Sequence, residues 1–253
     1  MTSHLIIPDS HAHPDHSNKR YEYIGKLVAD LKPDVVISIG DWADMPSLCS
    51  YDKGTKGYEG KRYSHDIEAG IDAQARFFHP IRKAKKKLPR FIMLEGNHEY
   101  RIKRAIDFDA VHLEGIISPD DLGYRDFGWE YVEYEGSTPG NIVLDGINYA
   151  HYFPSGIMGR PIGGNNPAYQ LVTKYGRSCT QGHTHTFAFY HRGNAVSECN
   201  GLVCGVYQDW FADFAGAAND MWWKGVVYKT NVENGLYDMR QISLNTLRKE
   251  YGS

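Results

Sequence analysis

The run Val35-Val36-Ile37-Ser38-Ile39-Gly40-Asp41 decides the fold class. Its first five residues are almost wholly apolar and β-branched, as expected of a parallel strand covered on both faces. It then breaks into Gly and a carboxylate. Upstream, Tyr21, Ile24, Leu27, Val28 and Leu31 recur at helical spacing and Pro33 ends the helix. Further upstream, Leu5-Ile6-Ile7 forms a short strand closed by Pro8. Strand, helix and strand make a βαβ unit with parallel strands. Downstream, Phe91-Ile92-Met93-Leu94 repeats the pattern and ends in Glu95-Gly96-Asn97-His98-Glu99.

Between these strands, residues 47–63 are rich in Gly, Lys, Tyr and Asp, lack periodicity and read as a long loop or lid. A helix beginning near Ser64 carries Ile67, Ile71, Ala75 and Phe78 on one face, and Pro80 is expected to end or kink it. From Trp129 onward, Tyr131/Glu133, Ile142/Leu144 and Ile147/Tyr149 alternate like antiparallel strands. Asn166-Pro167 opens one more helix with Gly176 past its end. The tail, around 226–228 and 236–239, reads as closing strands. The reading is α/β, parallel early and mostly antiparallel late, in a single domain over 1–253.

Bulk properties are those of an ordinary globular protein: 253 residues, 42% hydrophobic, 23% charged, net charge −3. This balance does not call for nucleic acid or a membrane as partner; a nucleic-acid substrate would need a local basic patch. Residues 1–7 lack the basic segment and long apolar run of a secretory signal. No stretch has the length of a membrane span. Cys49, Cys179, Cys199 and Cys204 form no CxxC pair, so reduced thiols in a cytoplasmic protein are expected.

The chemistry sits where strands end. Asp9-Ser10-His11, Gly40-Asp41, Gly96-Asn97-His98, Ala150-His151 and Gly182-His183-Thr184-His185 each follow an apolar run. Ligands bind beyond the carboxyl ends of strands in open α/β sheets, so five such ends can converge on one pocket. Imidazole with carboxylate favours Zn, Fe or Mn over Mg or Ca. In Asp9-x-His11 and His183-x-His185 the alternation would place both side chains on one side of an extended chain. The glycines before Asp41, Asn97 and His183 would permit sharp turns and close approach. Taken singly, each residue also reads as ordinary turn chemistry; the ordered set carries the metal reading.

That set, in order and over most of the chain, resembles the calcineurin-like metallophosphoesterase family, whose motifs run DxH, GD, GNH with a following acid, a lone His, and GHxH. Residues 41–53 and 153–164 are also similar to members found in bacteriophages and prophages. The resemblance implies two packed mixed β-sheets flanked by helices. It also implies two divalent transition-metal ions about 3.5–4 Å apart, manganese foremost, with iron, zinc or nickel as alternatives. Asp9, His11, Asp41 and His185 would hold one ion; Asp41, Asn97, His151 and His183 would hold the other. Hydroxide bound to the metals would attack a phosphate ester, with His98 stabilising the transition state or protonating the leaving group and Asp44 paired to His98.

One position departs from the protein-phosphatase branch: Met45-Pro46 stands where that branch has a phosphate-gripping Arg after the Asp. That branch also lacks the paired histidines of 182–185. Both departures point away from a protein phosphatase, and the missing Arg suits a phosphodiester, of nucleotide or nucleic-acid type, over a phosphomonoester. A nuclease would use a basic groove drawn from Lys53, Lys56, Lys61 and Arg62. The alternative from another class is a non-catalytic scaffold of this fold, and the filled ligand positions argue against it. His13, Asp15 and His16 read as surface groups or supports. Trp210, Phe211, Phe214, Trp222 and Trp223 read as core or subunit contact, with a base-stacking platform as the weaker option. A homo-oligomer is left open.

Overall fold

The computed structural model describes residues 1–252, with the side chain of Phe214 left out. Its first sheet runs β11 (Leu236–Ser243), β10 (Gly225–Glu233), β1 (Thr2–Ile7), β2 (Val35–Ser38), β3 (Arg90–Leu94) and β4 (Glu130–Val132). Its second runs β5 (Asn141–Leu144), β6 (Ile147–Ala150), β7 (Ser178–Gln181), β9 (Glu198–Cys204) and β8 (Phe187–Gly193). Helices α1 (Lys19–Leu31) and α2 (Tyr63–Lys83) link the parallel strands β1, β2 and β3. The shorter helices are α3 (Arg101–Phe108), α4 (Ala110–Leu113), α5 (Tyr124–Phe127), α6 (Pro167–Tyr175) and α7 (Leu244–Tyr251). The expected pair of mixed sheets flanked by helices is therefore present. No helix among the described residues is long and apolar enough to cross a membrane.

Strand alternation explains the layers. In the first sheet, Leu5, Ile7, Val36, Phe91 and Met93 face α1 and α2, joining Ile24, Leu27, Phe77 and Phe78. Their neighbours Ile6, Ile37, Ile92 and Leu94 face the second sheet and meet Ile147, Tyr149, Leu202 and Cys204. Val203 turns the other way, onto Leu171 of α6. Each central strand is buried on both sides, which is why it reads as a continuous apolar run.

Three expectations need correction. β4 pairs parallel with β3, not antiparallel, placing Met93 beside Tyr131. The later strands are mixed: β6–β7 and β7–β9 are parallel, while β5–β6 and β8–β9 are antiparallel. Helix α2 continues past Pro80 to Lys83, so of the two outcomes expected at Pro80 the helix end is the one overturned. Pro80 lies in its last turn and packs on α1 where Gly25 offers no side chain; a Cβ there would meet the Phe77 carbonyl oxygen at 2.2 Å and Pro80 Cγ at 2.6 Å.

Candidate metal centre

The loops after β1, β2, β3, β6 and β7 bring Asp9, His11, Asp41, Asn97, His98, His151, His183 and His185 together. Three groups of ligand atoms lie within 4.8 Å of one another: Asp9–His11–His185, His11–Asp41–His98 and Asp41–His151–His183. Asp41 is common to two of them. His11 Nε2 stands 3.2 Å from His185 Nε2, and His185 Nε2 stands 3.2 Å from Asp9 Oδ2. On the other side, Asn97 Oδ1 lies 2.9 Å from His151 Nε2 and 2.8 Å from His183 Nδ1.

The backbone reaches this arrangement by a route different from the extended alternation expected. His11, Asp41, His183 and His185 all have positive φ, between 46° and 66°. Non-glycine residues adopt this left-handed region rarely, and such strain gathers at functional sites. The surrounding loops impose it. Ser10 and His11 both donate their N–H to the Asp41 carbonyl, and His183 N–H donates to Asp9 Oδ2 at 2.8 Å. Of the glycines, Gly40 (φ 98°) supplies a turn. Gly96 and Gly182 supply space instead: a Cβ would fall 2.1 Å from Asp41 Oδ1 and from Asp9 Oδ1 respectively.

Hydrogen bonding prepares the donor set for cations. His11 Nδ1 meets the Asp44 carboxylate at 2.8 Å, and His151 Nδ1 meets the Ile39 carbonyl at 2.9 Å. Both partners accept, so the hydrogen of each ring sits on Nδ1 and Nε2 turns inward, where it can offer a lone pair to a metal ion. Burial, reinforced by the neighbouring His151, pushes His183 down to about 4, leaving it neutral at ordinary pH. Asp41 would be raised by burial alone, but His151, His98 and His11 hold it well below the usual carboxylate range. Asp9 Oδ1 is buried without a hydrogen-bond partner. Lone pairs and carboxylate charge thus face one another with few donors between them, so the residues present fit divalent metal ions.

Asp44 serves two histidines. Its Oδ1 takes the shorter contact from His11, and His98 Nδ1 lies 3.2 Å away. His98 Nδ1 bonds more closely to the Asp44 carbonyl, at 2.7 Å. Burial works against the Asp44 charge, yet hydrogen bonds from His11 and His98 hold it well below its ordinary value. For His98, burial and Arg101 favour the neutral ring; Asp41 and Asp44 outweigh them and raise its pKa.

Three residues without a role in the sequence reading complete the site. Glu99, fully buried, accepts from Gly96 N–H and Asp41 N–H at Oε2, and from Ala43 N–H and the Tyr124 hydroxyl at Oε1. It ties the β2 loop to the β3 loop. Burial and the Asp41 charge push its carboxyl up to about 7. Arg20 donates to the carbonyls of Ser10, His11 and Tyr207; its signal is a cation on the stripe that Ile24 and Leu27 make core-facing. Arg101 donates to the Asp44 and Met45 carbonyls and places Nη2 3.2 Å from His98 Nε2. Its signal is the i,i+3 spacing from His98. Met45, in the departing position, is wholly buried among core residues.

Glu99→Gln puts an amide NH₂ against two donors in either orientation. Unpaired buried donors cost about 1–3 kcal/mol. Loosening a support of a metal ligand typically lowers metal affinity about 10–100-fold. Melting and metal titration of the variant should show both losses; unchanged affinity would exclude Glu99 as a support of Asp41.

At the rim, the Trp210 ring stacks on His16 (4.4 Å, 9°) and Trp222 meets His185 edge-on at 4.3 Å. Trp223 packs on Phe187, whereas Phe211 is exposed. Phe214, the remaining member of that aromatic stretch, falls outside the described side chains.

No family model matches the chain. It is 26% identical over 190 residues to the Gene 54 protein of Mycobacterium phage L5, covering 73% of this chain and 70% of that protein. It is 27% identical over 192 residues to the Gene 54 protein of Mycobacterium phage D29, with the same coverage. The chain is thus similar, at a distance, to proteins encoded by phages, and it carries buried His/Asp groups capable of holding metal ions.

Proposed function

We propose that this chain is a two-metal phosphoester hydrolase acting on phosphodiesters of nucleotide type. The observation that carries the reading is the convergence of inward lone pairs from five strand ends, the Asp9–His11–His185 group joined to the Asp41–His151–His183 group through the His11–Asp41–His98 group between them. Asp9, His11, Asp41 and His185 would hold one ion, and Asp41, Asn97, His151 and His183 the second. When bound, such ions supply Lewis-acid charge to a phosphoryl group and acidify water.

The chain's own residues supply the rest. His98 is fixed at Nδ1 by Asp44, with Nε2 3.8 Å from Asp41 Oδ2, where it can reach an ester oxygen held at the centre. Arg101 Nη2 lies 3.2 Å from that nitrogen and crowds a metal ion there, while Asp41 and Asp44 raise the pKa of the ring, so His98 is assigned proton transfer rather than ligation. Burial of Asp9, His11, Asp41 and His151 keeps bulk water from competing for these groups.

A monoester reading has one observation in its favour: Arg101 restores beside His98 a cation that Met45 does not provide, and a dianion profits from it more than a diester. Metal-stripped protein, reconstituted with Mn, Fe, Zn, Ni or Mg and offered bis(4-nitrophenyl) phosphate and 4-nitrophenyl phosphate, separates the readings. Metal-dependent cleavage with higher kcat/KM for the diester is expected. Preference for the monoester would transfer the assignment to a phosphatase. Metal binding without hydrolysis of either would favour the scaffold, and failure to bind metal would remove the centre itself.

A further inference from the structure

A cleft of about 650 Å³ opens beside the candidate centre, between the 47–58 loop and helices α3 and α4. Arg101 lines it and also contacts His98, so the cleft begins one guanidinium away from the metal-ligand cluster. Its volume falls within the range of small-ligand sites.

Its lining carries more cations than carboxylates. Lys53, Arg101 and Arg104 line it, and among the described residues none has a carboxylate at ion-pair distance. Two carboxylates, Asp107 and Asp109, share the cleft, and Asp109 is engaged by His112 at 2.7 Å. The excess is therefore positive, on a protein of net charge −3. Of the four cations expected to form a groove, Lys53 lines this one, while Lys61 is paired to Asp52.

The cleft also has aromatic walls. Phe108 is 84% exposed, with Lys53 Nζ 5.0 Å from its ring centroid. Tyr58 is anchored through its hydroxyl to the Ser47 carbonyl. Cations without carboxylate partners beside an exposed phenyl ring are the chemistry that binds a nucleotide: phosphate on the cations, base on the ring.

We propose that this cleft holds the leaving-side nucleotide of the scissile diester, its distal phosphate on Arg104 and Lys53 and its base against Phe108 and Tyr58. The proposal rests on the phosphodiesterase reading above. In the reaction, water's oxygen bonds to phosphorus and the P–O bond to the leaving nucleotide breaks. The electron pair stays on the leaving oxygen, which takes a proton to become a hydroxyl. Arg101 spans the two compartments and marks the passage from scissile to distal phosphate.

The test uses the metal-loaded protein with three dithymidines: TpT, pTpT and TpTp. The same compounds with a methylphosphonate link, which resists hydrolysis, report binding alone. A terminal phosphate at one end should lower both KM and Kd about tenfold relative to TpT, with marked salt dependence. Arg104→Ala and Lys53→Ala should each remove most of that gain. Phe108→Ala should weaken a base-bearing probe about tenfold and its abasic counterpart little. The losses on the phosphorylated dithymidine should exceed those on bis(4-nitrophenyl) phosphate by about tenfold. Matched melting temperatures would exclude misfolding.

Equal affinity with and without a terminal phosphate, or equal losses on both substrates, would overturn the proposal even if the diester is cleaved. A terminal-phosphate gain in methylphosphonate binding without hydrolysis of any diester would support the cleft as a nucleotide site and remove the hydrolase reading instead.

Discussion

Asp41→Asn is expected to lower metal-dependent phosphoester hydrolysis about 10³-fold, on the basis of several kcal/mol of lost charge stabilisation at 1.36 kcal/mol per decade. The backbone at this position holds the loops together: the Asp41 carbonyl accepts from Ser10 and His11, and its N–H donates to Glu99. Asparagine keeps those bonds, and its amide oxygen can still accept the His98 N–H that Asp41 Oδ1 accepts at 2.9 Å. What changes is the other atom. Oδ2, 3.4 Å from His151 Nε2, becomes an NH₂ aimed at lone pairs that would hold a cation. Asp9 is then the only carboxylate left in the assigned ligand set. Metal content should fall below two ions per chain, and the metal-induced rise in melting temperature should shrink. Elemental analysis with kcat/KM on the same sample checks both. Two retained ions with full activity would remove Asp41 from its bridging role.

Much of the frame was legible because burial on both faces writes itself as an unbroken apolar run. Leu5–Ile7, Val35–Ile39 and Phe91–Leu94 could hardly be anything but central strands, and the polar residues after each had to lie at one edge of the sheet. β4 was misread for a physical reason. Its residues are exposed or half-buried, and alternation reports exposure, not strand direction. The direction is set by where the chain returns after α5. The left-handed backbone at His11, Asp41, His183 and His185 was equally hidden, since non-glycine side chains avoid it locally and only distant loop contacts impose it. Glu99, Arg20 and Arg101 lay inside or beside readable motifs, but their roles are defined by Tyr124, Tyr207 and the Asp44 carbonyl, brought close only by the fold. Met45 gives the same lesson in reverse. Its identity suggested a missing cation, and the fold brings one from α3.

His98→Ala is expected to lower kcat about 10²–10⁴-fold, the usual worth of a positioned acid or base. The size of the loss should depend on the leaving group. 4-Nitrophenolate departs readily without a proton, whereas a nucleoside alkoxide does not. If His98 Nε2 delivers the proton, the variant should lose far more activity toward a dinucleotide than toward bis(4-nitrophenyl) phosphate. A merely structural role would lower both alike. The surroundings make the test clean, because the assigned ligands keep their own supports: His11 on Asp44, His151 on Ile39, His183 N–H on Asp9. Metal content should therefore hold near the wild-type value. His98→Asn, whose amide can still donate to the Asp44 carbonyl but carries no titrating nitrogen, should share the loss on the dinucleotide. Recovery by asparagine would show that the imidazole positions its neighbours and moves no proton.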